Sequence, residues 1–343
     1  MSIVLITHYL KRISSLLSPV ILSLLVGGLL ILAAGQNPLS TYASLFKAGF
    51  SCDSGPGRCA LFTALQFATP LILSGLSATV ALRGGFFSIG QVGQMLFGAA
   101  AASWLGANLS LPSFIHPIVA LIGASFLGGL WGLVPALLKS FIGVNEIIAT
   151  LLLNPIAAVL VSLTWLPGIH ASARLSPLIP STKLSAGIFI ALTAALLIYL
   201  FLWHSTRGVE IRANANAPRF ALYGGMPLIK PMLLAMVLSG ALAGLAGGIE
   251  VLGVHYQFIS SFSAVNDFDG LIIAFAGHLH PAGVVLLAFL LGGLRTGSIV
   301  GLQIQSGIPR ELGGALIAFI LIFVATNNHS EINEKATAKM YLR

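Results

Sequence analysis

Charge is what this sequence has least of. Of 343 residues, 9 are acidic and 17 are Lys or Arg, so 8% of the chain is charged, against about a quarter in soluble domains. So few polar groups cannot cover a water-facing surface of this size, which excludes a soluble globular fold. No run of five basic residues accompanies the net charge of +8, so the excess reads as a topological signal rather than a nucleic-acid surface. No GxxxxGK[ST] string occurs, which argues against nucleotide binding by a P-loop. HExxH, CxxC and GxSxG are absent too, so no hydrolase or metal motif stands out. His278-Leu279-His280-Pro281 supplies too few ligands for a metal and reads as a turn at a helix break; no cofactor is expected. Buried Asp, Glu and Lys do not alternate along the spans as a proton relay would have them, which weakens ion-driven transport. Period-two alternation is missing as well, which argues against a β-barrel.

What is present is apolar. The chain is 57% hydrophobic with a mean hydropathy of +0.98, and runs of about twenty apolar residues recur, the length needed to cross a bilayer. Helices are the remaining way to satisfy the backbone in hydrocarbon. The reading is an all-α polytopic membrane protein, a single transmembrane domain over 1–343. About ten spans are expected, near 16–35, 62–82, 86–107, 116–137, 146–166, 184–203, 230–252, 267–280, 282–298 and 311–327. The third, eighth and ninth are short or broken by Gly, Pro or His. With Lys11 and Arg12 before it, the first is read as an uncleaved span, although Ala33 and Ala34 would suit a signal-peptide cleavage site.

Ten crossings put both termini on one side. Lys11, Arg12, Arg83, Lys139, Arg207, Arg212, Arg219, Lys230, Lys335, Lys339 and Arg343 fall on that side. Lys47, Arg58, Arg174, Lys183, Arg295 and Arg310 fall on the other, so both termini are expected to be cytoplasmic. The segment 36–61 is then an extracytoplasmic loop. Cys52 and Cys59 flank a Gly-Pro-Gly turn in it, in a compartment that permits a disulfide, a candidate bridge of purely structural role.

Small residues recur inside the spans, as in Gly123 to Gly132 and Gly240 to Gly247, the spacing that lets helices approach closely in lipid. Polar residues there are costly and informative. Ser88, Gln91 and Gln94 precede or open the third span, Asn145 and Glu146 open the fifth, and Asn154 lies two turns into it. These six are candidates for a path taken by a hydrogen-bonding solute; the alternative is caps and interhelical hydrogen bonds. The segment 206–228 is hydrophilic and too long for a tight turn. Pro218 suits the first turn of a short helix with Asn216 as its cap, and Gly224 or Gly225 ends it. Phe220 and Tyr223 would then be exposed on a cytoplasmic helix, a docking knob for a partner.

Four blocks in order resemble the permease subunits of ABC importers of the simple-sugar and nucleoside class, in the branched-chain amino-acid/ribose-type superfamily. They are Arg83-Gly-Gly85-Phe-Phe87-Ser-Ile-Gly90 through Gln94; Val144-Asn145-Glu146 through Asn154; Arg212-Ala213 with Pro218, Ala221, Tyr223 and Gly225; and Ser239 through Gly247 with Asp269-Gly270, Pro281 and Arg295-Thr-Gly297. The resemblance covers roughly residues 60 to 327. Departures are Ser88 and Val92 for asparagine and glutamate, Ala215 and Ala217 for glycine and asparagine, and His278-Leu279-His280 for arginine-asparagine-asparagine. The resemblance implies a half-transporter of the bacterial inner membrane, not itself an enzyme, importing a nucleoside or simple sugar. It implies a second permease chain, identical or homologous, cytoplasmic ABC ATPase subunits and an external solute-binding protein. It assigns Arg212, Ala213, Pro218, Phe220, Ala221, Tyr223 and Gly225 to ATPase coupling. Rival readings are a branched-chain amino-acid permease, a secondary transporter acting alone, and a membrane enzyme on lipid-linked substrates; the last would want an acidic or His cluster that the sequence does not show.

Overall fold

The computed structural model describes residues 22, 24–33, 35–52, 59–164, 166, 168–179, 182–259, 268–305 and 314. Among them the regular structure is helical: α1 (Leu24–Ala33), α2 (Pro38–Phe50), α3 (Ala60–Arg83), α4 (Gln91–Asn108), α5 (Ile115–Leu137), α6 (Glu146–Ser162), α7 (Gly187–His204), α8 (Thr206–Asn216), α9 (Pro218–Tyr223), α10 (Ile229–Glu250), α11 (Asp269–Ala276) and α12 (Pro281–Gly297). Three of these continue as π-helical turns, α5 to Ile142, α10 to His255 and α12 to Gln305. Among the described residues five helices are long and apolar enough to cross a membrane, six if the bent pair α1–α2 is one span. The expected tenth span, 311–327, and the basic residues of both termini lie outside the described residues.

The chain divides into two compact units, Met1–Ala64 with Leu290–Arg343, and Leu65–Phe289. In the first, α1 and α2 meet at 112°. Asn37 caps α2 by accepting from the Leu39 N–H at 3.0 Å, Pro38 occupies the first helical position, and the Tyr42 hydroxyl donates to the Leu24 carbonyl at 2.8 Å. Within the segment 36–61, expected as a loop, Pro38–Phe50 is therefore helical. An Asn-Pro pair is a helix start, and Thr41, Leu45 and Ala48 then share one buried face.

The second unit is built around α4, α5 and α10, which touch backbone to backbone through glycines. A methyl carbon placed on Gly128 of α5 would lie 2.5 Å from the Gly240 carbonyl oxygen and 2.6 Å from the Gly244 Cα. On Gly98 of α4 it would collide with Gly244, and on Gly247 with the Met95 carbonyl. In lipid, where apolar surface gains little from association, such close approach is the main source of helix–helix attraction. A buried hydroxyl pair, Ser77 with Ser239 at 2.9 Å, ties α3 to α10.

Several expected spans are shorter than the sequence suggests. Phe86 to Gly90 is not helical, so the third begins at Gln91. A Schellman turn ends α3: the Phe86 N–H reaches the Ala81 carbonyl and the Gly85 N–H the Leu82 carbonyl, with Gly85 at φ 74°, a conformation glycine adopts without penalty. The eighth reduces to α11, whose 8 residues span about 12 Å and cannot cross alone.

Candidate functional site

Within Leu65–Phe289, α3, α5, α7 and α11 finish, and α4, α6, α10 and α12 start, at one end of the bundle. The hydrophilic segment lies there. Its start follows from Ser205, whose hydroxyl caps α8 by accepting from the Gly208 N–H at 3.0 Å. Two helices form where one was expected. Asn216 is the last residue of α8 rather than a cap, and Ala217, at φ −150° and ψ 70°, separates it from α9. Pro218 is the physical cause, because its ring pushes the preceding residue out of helical geometry. α9 ends in a second Schellman turn at Gly225, φ 74°, which accounts for that glycine.

Ala221 is fully buried, so α9 is seated on it. Phe220 and Tyr223 stand on the other side, 75% and 91% exposed. Two aromatics presented on a clamped six-residue helix have the chemistry of interface anchors. The clamp includes Asn214, whose side-chain amide donates to the Pro227 carbonyl at 2.9 Å, fastening α8 to the start of α10. Ala213 is half-buried on α8. The Arg212 guanidinium lies 5.5 Å from the centre of the Trp203 ring.

Arg83, at the end of α3, approaches the same ring at 5.3 Å. Its Nε donates to the Leu279 carbonyl and one terminal nitrogen to the His278 carbonyl, both at 3.1 Å. The His280 ring meets Trp203 edge-on with centroids 4.9 Å apart, and its Nδ1 caps α12 by accepting from the Ala282 N–H at 3.2 Å. His278 to His280 is thus the turn between α11 and α12. Sequence reasoning singled out neither Trp203 nor its contact with Arg83. The residues involved lie up to 197 positions apart, and no local pattern marks them.

The polar candidates fall into one buried network and one helix start. Asn154 spans from α6 to the first turn of α4 and the stretch before it: its carbonyl oxygen accepts from the Gly93 N–H at 3.0 Å and its NH₂ donates to the Ile89 carbonyl at 2.9 Å. Thr150, missed by the sequence reading, accepts from the Ile89 N–H at 3.2 Å. The Ser88 hydroxyl accepts from the Gly90 N–H at 3.2 Å, and the Gln91 amide donates to the Ser88 carbonyl at 3.1 Å. The side-chain carbonyl oxygens of Gln91 and Gln94 are buried without a partner. Asn145 caps α6 by accepting from the Ile147 N–H at 2.9 Å, and Glu146 pairs with Lys139 at 2.7 Å. Asn145 and Glu146 hold the start of α6, and the Glu146 backbone carbonyl joins that start to the network by accepting from the Thr150 hydroxyl at 2.7 Å. In the first unit Cys52 and Cys59 face each other across an isolated antiparallel bridge, with Cα atoms 4.0 Å apart and their sulfur atoms in contact.

Comparison with known proteins gives the family of the chain. The family described as "Branched-chain amino acid transport system / permease component" matches residues 60–325. The guanosine ABC transporter permease protein NupP of Bacillus subtilis is 38% identical over 92% of this chain and 95% of its own. The nucleoside ABC transporter permease protein NupB of Lactococcus lactis is 31% identical over 89% and 88% respectively. A second guanosine permease protein of B. subtilis, NupQ, is 24% identical over 69% and 81%. No solved structure matches. The chain thus belongs to this permease family, as a membrane subunit of an ABC transporter that works with a solute-binding protein and hydrolyses ATP on a separate subunit.

Proposed function

We propose that this chain is one half of the membrane pathway of an ATP-driven nucleoside importer in a bacterial inner membrane. The observation that carries the solute class is likeness over about nine tenths of the chain to permeases named for guanosine and nucleosides in two organisms. The B. subtilis comparison also supports a heterodimer: two permease proteins bear the guanosine name, and this chain is far closer to NupP than to NupQ. The second permease chain is therefore a non-identical relative.

The end carrying α8 and α9 is cytoplasmic on this reading. Arg83, Lys139, Arg207, Arg212, Arg219 and Lys230 gather there, against Arg174 and Lys183 at the opposite end of Leu65–Phe289, as the positive-inside rule requires. With about ten spans in one domain, the same orientation puts both termini in the cytoplasm. Lipid covers the outward faces of α5, α6 and α7, where Ile122, Phe126, Leu152, Val159, Leu196 and Leu197 are exposed.

Phe220 and Tyr223 dock in a cleft of the ATPase subunit. Ala221 and Ala213 seat the segment, Pro218 and Gly225 set its ends, and Arg212 links it to the bundle. ATP binding closes the ATPase pair and moves this lever, shifting the bundle between inward- and outward-open states. Along the path, the unpaired oxygens of Gln91 and Gln94 offer acceptors to solute hydroxyl or amino groups. Ser88, Asn145, Glu146 and Asn154 hold their framework, and Cys52–Cys59 forms an extracytoplasmic disulfide. The test is uptake of radiolabelled guanosine by proteoliposomes holding this chain, its partner permease, the ATPase subunits and the binding protein. ATP-dependent uptake competed by other nucleosides is expected; uptake competed by leucine or ribose but not by nucleosides would overturn the solute assignment.

A further inference from the structure

The polar atoms of α8 are poorly satisfied as seated. Among the described residues six side-chain polar atoms are buried without a hydrogen-bond partner, and three of them, Glu210 Oε2, Arg212 Nε and Asn214 Oδ1, lie on α8. A buried donor or acceptor left unpaired is costly, and such groups concentrate where structure is held ready to change. The same helix meets the rest of the bundle at an unusual junction. Trp203 is approached by two guanidiniums, Arg212 from α8 and Arg83 from α3. The ring is braced by Tyr199 one turn earlier, centroids 5.6 Å apart, and by His280.

Two like charges beside one ring repel each other, and among the described residues neither is paired with a carboxylate. What offsets the repulsion is the negative face of the indole, and for Arg83 the carbonyls of His278 and Leu279. Those carbonyls belong to a turn in which two consecutive non-glycine residues are left-handed, His278 at φ 58° and Leu279 at φ 53°. Such residues persist only where surrounding contacts hold them, and Arg83 supplies two of those contacts. Four elements therefore converge on one side chain: the end of α3, the last turn of α7, α8, and the α11–α12 turn.

We infer that Trp203 is the transmission element of the transporter, relaying displacement of α8 through Arg83 and His280 to the α11–α12 turn, with Arg83 as the positioning residue. The inference rests on the coupling role proposed above for α8 and α9. When the ATPase pair pulls α8, Arg212 leaves or slides across the indole face. The ring is then free to shift against His280, and the strained turn at 278–279 is released to reorient α12. Arg212 Nε, orphaned as seated, gains a partner in the displaced state, which gives the junction two alternatives rather than a continuous range. Loss of the ring disconnects the ATPase cycle from the bundle without touching the docking aromatics.

The experiment uses the complete reconstituted transporter, reading guanosine uptake, ATP hydrolysis and ATPase co-purification in parallel. Trp203→Leu and Arg83→Gln are expected to retain the ATPase and its hydrolysis while uptake per ATP falls about ten-fold, the scale of a typical coupling energy between sites. Trp203→Phe, which keeps an aromatic face, restores most of the stoichiometry, a rescue that a purely space-filling role does not predict. If Trp203→Leu fails to assemble, Trp203→Phe and Arg83→Lys carry the test, with graded loss of uptake per ATP expected. Unchanged uptake per ATP in the assembled variants overturns the inference, as does equal behaviour of Trp203→Leu and Trp203→Phe. Phe220→Asp with Tyr223→Asp separates the two levels: if that pair leaves ATPase binding intact, the coupling assignment itself falls.

Discussion

Replacing Gly128 by alanine tests whether the glycine seam between α5 and α10 holds the second unit together. The added methyl carbon would sit 2.5 Å from the Gly240 carbonyl oxygen and 2.6 Å from the Gly244 Cα, where ordinary contact needs about 3.5 Å. Both obstacles are backbone, so no rotamer change relieves the overlap and the helices must separate locally by about 1 Å. A gap of 0.5–1 Å forfeits roughly a quarter to a half of a dispersion well. Taking the seam as equivalent to one buried leucine, about 50 atom pairs at about 0.1 kcal/mol, the loss is about 1–2.5 kcal/mol. That range matches the usual cost of overpacking, about 1–3 kcal/mol, and corresponds to about 1–4 °C in unfolding temperature for a chain of this size. Gly123→Ala is the control on the same helix. Its methyl would meet the terminal carbon of Leu105, a side-chain end that can turn aside, so a loss under about 0.5 kcal/mol is expected. Thermal unfolding of both variants in one detergent, followed by size-exclusion fluorescence, reads the difference. Equal shifts would refute the claim that backbone contact at the seam, rather than general small-residue packing, carries the stability.

Other expectations share that assay or the reconstituted system. Asn154→Leu keeps the volume but strands the Gly93 N–H and the Ile89 carbonyl in a buried setting, at about 1–3 kcal/mol per group; a loss within noise would show that water satisfies both. Phe220→Asp with Tyr223→Asp removes two exposed anchors worth about 2 kcal/mol or more each, so the ATPase should dissociate during purification while the chain stays folded. Retention of the ATPase would remove α9 from the interface. Cys52 and Cys59 should both resist an alkylating reagent until a reductant is added; labelling of the untreated protein would disprove the bridge. Leu279→Asn should raise the unfolding temperature slightly and Leu279→Val lower it, since asparagine tolerates a left-handed backbone and a β-branched residue does not. The reverse order would mean that the left-handed turn carries no strain.

The parts of this fold that could be read from the sequence were those governed by local rules. An apolar run long enough to cross a bilayer declares itself, and so do Pro218 at a helix start and Gly225 past a helix end, because each reflects one residue's own conformational preference. Asn216 is the last residue of α8 rather than the cap expected of it, because Pro218 acts on the residue before it and opens a gap at Ala217. Helix α2, inside the segment placed by span order as an extracytoplasmic loop, is a different case: the buried face of Thr41, Leu45 and Ala48 takes its meaning only from what packs on it. The His278-Leu279-His280 departure from the family's arginine-asparagine-asparagine is the most instructive case. Along the chain it stands only as a departure from the family's pattern. In three dimensions it concerns backbone: position 279 is left-handed and position 280 caps α12, two tasks for which asparagine is well suited. Histidine keeps the capping task through Nδ1 and adds a ring that meets Trp203, whereas leucine at 279 holds its left-handed φ of 53° without the tolerance of asparagine. On the relay proposed above, a substitution that loosens the turn and places a ring against Trp203 bears on coupling, since the residues it contacts are those of the Arg83–Trp203 junction.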